Sequence, residues 1–155
     1  MKTLFCFILL IILPASAQAD IDDYYALVFK QKDTTLEAIA CYGYWENFNS
    51  TFEVFLKRAK KAGEKETIKT VAQEIVKTKT RLIFLESLAV HLGEKKLLAD
   101  SYDFAGVFDV FNSKLTRKLE KPCLVNFANV LRANRQRYES AKASATAHVD
   151  SLRKQ

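Results

Sequence analysis

From Glu64 to Leu92 the chain holds neither glycine nor proline, and its apolar residues Ile68, Val71, Ile75, Leu82, Leu85, Ala89 and Leu92 recur at steps of three, four or seven. These positions share one stripe of an α-helix. Only Thr78 interrupts the stripe. At 1.5 Å per residue such a helix is about 43 Å long, so several other helices must lie along it to cover its apolar face. Gly63 and Gly93 stand where the left-handed residues that end helices belong.

The flanks read as helices too. Asp20, Asp22 and Asp23 precede an apolar and aromatic run, which predicts a first helix over 21–31 with its acids at the positive end of the dipole. Thr34 and Glu37 have capping-box spacing and predict a second helix over 35–47. Ser50 and Glu53 repeat that spacing and predict a third, over 50–62. Leu97, Phe104, Phe108, Phe111, Leu115 and Leu119 predict a fifth helix, which Gly106 weakens by about 1 kcal/mol. Pro122 is expected to end it and to open the last helix, marked by Leu124, Leu131, Tyr138, Ala145 and Leu152. Beyond Ser140 the side chains are small, and residues 141–155 are expected to project or fray. No run alternates with period two and no Asn-Gly or Asp-Gly turn occurs. The expectation is all-α: a single antiparallel bundle of five to six helices.

Residues 1–19 read as an address. Lys2, the apolar run Leu4–Leu13, Pro14 and Ala17-Gln18-Ala19 follow the order of a secretory signal peptide. Cleavage after Ala19 leaves residues 20–155 as one helical domain in the periplasm or outside the cell, with no later run of the roughly twenty apolar residues that a transmembrane helix needs. Two cysteines, Cys41 and Cys123, remain in that oxidising compartment and are expected to form one disulfide.

Charge is unevenly spread. Between Asp20 and Leu56 seven acids face only Lys30 and Lys32, whereas the whole chain is +6. Basic residues cluster at Lys57, Arg58, Lys60 and Lys61, at Arg117, Lys118 and Lys121, and at Arg132, Arg135 and Arg137. Such polarity suits an anionic partner, though Lys57–Lys61 also suit the carboxyl end of the third helix.

No residue set identifies a reaction. The two histidines, His91 and His148, lie far apart in sequence, no zinc, haem or phosphate-loop motif is present, and catalytic, metal and cofactor residues are read as none. Among the carboxylates Glu37 and Glu53 are assigned to capping boxes, which leaves Glu46 without a catalytic partner. Asn49-Ser50-Thr51 fits the glycosylation pattern. Candidate binding residues are Tyr42, Trp45, Arg132, Arg135 and Arg137. No nucleic-acid motif accompanies the basic residues. A secreted bundle with one disulfide is similar in outline to bacterial periplasmic immunity proteins and small periplasmic chaperones, with no motif that carries residues across. The function expected is non-enzymatic binding of a protein partner, as inhibitor, immunity factor or adaptor. The alternatives are a binder of an anionic envelope polymer or lipid headgroup, and a periplasmic chaperone or cell-wall-active enzyme.

Overall fold

The structure, a computed structural model, describes residues 15–105 and 113–154, with side chains over 21–105 and 117–154. The signal-type run before Ala15 and the stretch with Gly106, Phe108 and Phe111 lie outside the described residues. The protein is an all-α bundle, and no strand occurs among the described residues. Its helices are α1 (Ala15–Phe29), α2 (Thr34–Ala40), α3 (Tyr42–Ala62), α4 (Lys65–Leu92), α5 (Lys95–Asp103), α6 (Ser113–Glu120), a π-helical segment (Lys121–Asn126), α7 (Phe127–Ala133) and α8 (Arg135–Lys154). No helix among the described residues is long and apolar enough to cross a membrane.

The α4 helix is the axis that its periodicity predicts. Gly63 and Gly93 adopt φ of 72° and 78°, and each lets the chain leave its helix through paired bonds to the last turn. Glu64 N–H donates to the Ala59 carbonyl at 3.0 Å, and Glu94 N–H to the Ala89 carbonyl at 2.8 Å. A side chain at either glycine would have to take a left-handed conformation that costs about 1–2 kcal/mol. Along one side of α4 lies α3, and along another α8.

Ile75, Leu82, Leu85 and Ala89 of the predicted stripe are buried, and so is Thr78. The threonine separates two cores. Ile75, with Leu56, Ala72 and Val149, fills a small three-helix stalk made by α3, α4 and α8. Leu82, Phe84 and Leu85 belong to the larger core of the head, together with Tyr24, Ile39, Trp45 and Phe127. At the boundary Thr78 Oγ1 donates to Asn49 Oδ1 at 3.1 Å, and Asn49 Nδ2 donates to Glu53 at 2.9 Å. A polar pair inside an apolar stripe fixes which residues of two helices face each other. Thr78→Val keeps the shape but leaves the buried Asn49 carbonyl without that donor. It is expected to lower stability by about 1–3 kcal/mol in urea unfolding. Asn49 itself is 2 % exposed, so the glycosylation pattern lies inside the folded core.

Several boundaries differ from the sequence expectation. The break falls at Cys41 rather than between Asn47 and Ser50, and α3 runs unbroken through Ser50. Ser50 donates to Glu46 and Glu53 accepts from Asn49, both one turn away on a continuing helix, so neither acts as a cap. The cap of α2 is Asp33, whose carboxylate accepts from the N–H groups of Thr35 and Leu36 at 2.8 and 3.0 Å. That frees Glu37 to accept from Asn126. At Cys41 the interrupted backbone is satisfied from elsewhere. Tyr24 donates to the Ala40 carbonyl at 2.9 Å and accepts from Tyr44 N–H at 3.0 Å. Ser101 donates to the same carbonyl at 2.6 Å and accepts from Gly43 N–H at 2.8 Å. Gly43 is required there, because a Cβ would stand 2.0 Å from the Ser101 carbonyl oxygen.

The fifth helix stops at Asp103, where Phe104 and Ala105 turn back onto the Ser101 and Tyr102 carbonyls. The α6 helix ends at Glu120 and Pro122 stands in the first turn of the segment that follows, as its sequence position predicts, but the helical backbone continues without a loop. The chain passes through it as a π segment that joins α6 to α7, a wider winding that spares the proline ring the usual clash with the preceding turn. The predicted last helix is instead two, parted at Asn134. Nor do residues beyond Ser140 project through to Lys154. Ala141, Ala145 and Val149 are buried, and Lys60 donates to the Leu152 carbonyl at 2.9 Å. Small side chains let the α8 backbone approach α4 closely, so that dispersion between near neighbours does the work that bulky side chains do elsewhere.

Candidate anion-binding surfaces

Tyr42 and Trp45 start α3, the helix whose first turns pass through the head, and they are 6 % and 4 % exposed. Trp45 stacks edge-on with Tyr44 at 4.8 Å and lies 6.3 Å from Phe127. Over its face sits the Arg81 guanidinium, 4.0 Å from the ring centroid. Burial holds the Arg81 pKa below its usual value, opposed by Tyr138 and Glu74. This cation on an aromatic face is legible in neither residue's local sequence, because it joins α3 to α4. Tyr42 donates to Glu86 at 2.5 Å, and burial, reinforced by that carboxylate, keeps its hydroxyl protonated far above the usual tyrosine range.

The three arginines lie apart from those aromatics in role. Arg132 lies in the last turn of α7 and Arg135 begins α8, both exposed. Arg137 is half-buried, and its Nη1 donates to the carbonyl and hydroxyl of Ser87 at 3.2 and 2.7 Å.

A larger basic surface forms at the stalk end. Gly63 turns α3 into α4, and α8 returns antiparallel to finish beside them. Lys57, Arg58 and Lys61 from α3, Lys65 and Lys69 from α4, and Arg153 and Lys154 from α8 are all exposed there. Glu64, Glu66 and Asp150 share that end. Among the described residues the ion pairs are local, and only Arg153 with Asp150, at 3.8 Å, is at this end. Of the large apolar side chains that the described residues expose (Phe29, Val54, Val90, Leu92, Tyr102 and Val125), Val54, one turn before Lys57 and Arg58 on α3, borders these cations.

Acid–base groups do not converge. His91 closes α4, while His148 lies beside Val149, which packs near Ala72 and Ile75, about 24 Å away along the α4 axis. The Glu46 carboxyl is held above its usual pKa first by burial, against the opposing pull of Lys79 and Ser50. Among the described residues no three His, Cys, Asp or Glu side chains gather as a metal would require. No protein-family model, curated protein or solved structure matches the chain.

Proposed function

We propose that this is a non-enzymatic exported protein that binds an anionic envelope component, a polymer or lipid headgroup bearing phosphate or carboxylate, at the basic end of its stalk. The observation that carries this reading is the convergence of cations from three separate stretches of chain, 57–61, 65–69 and 153–154, onto one end. Export is supported by the disulfide, which an oxidising compartment maintains. A surface dominated by exposed cations attracts by charge, so its affinity falls as salt rises. The protein is expected to pellet with anionic vesicles and to be retained by immobilised polyphosphate at low salt, to release from both at high salt, and to ignore neutral vesicles. Joint reversal of Lys57, Arg58 and Lys61 to Glu should abolish retention. Binding that survives either the salt or the reversal removes this end as the site.

A second reading rests on the opposite end of α4. Val90 and Leu92 are 59 % and 46 % exposed. Exposed apolar groups at one pole favour a protein partner there, of inhibitor, immunity or adaptor type. Val90→Asp should then weaken capture of that partner while leaving retention on polyphosphate intact.

A further inference from the structure

The geometry points to an oxyanion site in the groove between α4 and α8, organised by Arg137 and separate from the basic end of the stalk. The groove has a volume of about 360 Å³ and is lined by Ile83, Ser87, Gln136, Arg137, Ser140 and Ser144, over Ala141. Among these described residues Arg137 is the one charged side chain. Ser87 pins one guanidinium nitrogen through its carbonyl and its hydroxyl, and this holds the planar fork in place without neutralising it. No carboxylate pairs with Arg137 among the described residues.

Each of the remaining side chains carries a hydrogen-bond donor. Ser87 Oγ accepts from Arg137, so its own proton is free to point into the groove. Ser140 presents an exposed hydroxyl from the opposite wall, and Gln136 an amide. Ser144 donates to the Ser140 carbonyl at 3.3 Å, a long bond that a better acceptor can replace. These donors rise from two helices on either side of a gap. A tetrahedral phosphate offers acceptor oxygens in several directions and fits that distribution, whereas a planar carboxylate satisfies a guanidinium but not both walls. The groove continues past Arg137 over Ala141 and Ile83, so a phosphate ester with a small organic substituent covers it more fully than phosphate alone.

The test titrates the full chain with inorganic phosphate, glycerol 3-phosphate and acetate at constant ionic strength, following backbone amide resonances of Ser87, Gln136 and Ser140. Phosphate should give saturable shifts at these amides, glycerol 3-phosphate tighter saturation, and acetate none at matched concentration. Arg137→Gln should weaken phosphate binding by about tenfold or more, the loss expected for a charge-assisted hydrogen bond. Should Arg137→Gln disturb folding, the exposed pair Ser140→Ala with Ser144→Ala carries the test, with weaker binding at an unchanged unfolding midpoint. The stalk-end reversal of Lys57, Arg58 and Lys61 should leave these shifts intact, which separates this site from the proposed envelope contact. Acetate acting as well as phosphate, shifts that follow the stalk-end lysines, or undiminished binding in the Ser140/Ser144 variant would each overturn the assignment.

Discussion

Cys41→Ser is expected to cost the fold about 4.5 kcal/mol, the loop-closure entropy of a crosslink spanning 82 residues. Cys41 and Cys123 are bonded and both fully buried. The bond ties the break between α2 and α3 to the π segment between α6 and α7, two places where regular α-helical winding is interrupted. Domains of this size are stable by only about 5–15 kcal/mol. The variant should therefore show a large fall in its guanidinium midpoint. In the wild type, intact mass should lie two hydrogens below that of the reduced chain, and alkylation should require unfolding and reduction together. An unchanged midpoint in the serine variant would mean that the head is held by packing alone.

The features legible in the amino-acid sequence are those whose causes are local. The span of α4 follows from a periodic stripe and from Gly63 and Gly93, each acting within one turn of itself. The break at Cys41 has no such local cause. Its cap groups come from Tyr24 and Ser101, which lie 16 and 61 residues from the Ala40 carbonyl they share. The capping-box spacing at Ser50 and Glu53 misleads for the complementary reason. On a continuing helix the same spacing yields side-chain links between successive turns, and burial of Asn49 against Thr78 decides between the two. The tail misleads because alanine is judged by its own area rather than by the closeness it permits.

The same division holds for the binding surfaces. Residue type singles out Arg137, but the serines that shape its groove come from α4 and from later turns of α8. Lys57–Lys61 are explained by the carboxyl end of α3 when read alone. Only the return of α8, placed by Ala141, Ala145 and Val149, sets Arg153 and Lys154 beside them. Tyr42 and Trp45 are conspicuous in composition, yet the head needs their area for its core.

Leu82→Ala is expected to destabilise the protein by about 2–5 kcal/mol, because Leu82 is 1 % exposed in the head core and the cavity left behind has rigid walls. Its neighbours Phe84 and Leu85 are fully buried and anchored by other contacts, Phe84 edge-on to Phe127 at 5.6 Å and to Tyr138 at 5.9 Å. They have little freedom to collapse into the space. Lys77 supplies the control on the same helix. Its side chain is 59 % exposed and meets Glu74 one turn away, so Lys77→Ala should move the midpoint by no more than about 0.5 kcal/mol. Equilibrium urea unfolding of the two variants measures the contrast. If Leu82→Ala matched Lys77→Ala while binding was lost, the stripe on α4 would be a docking face rather than the wall between α4 and the head.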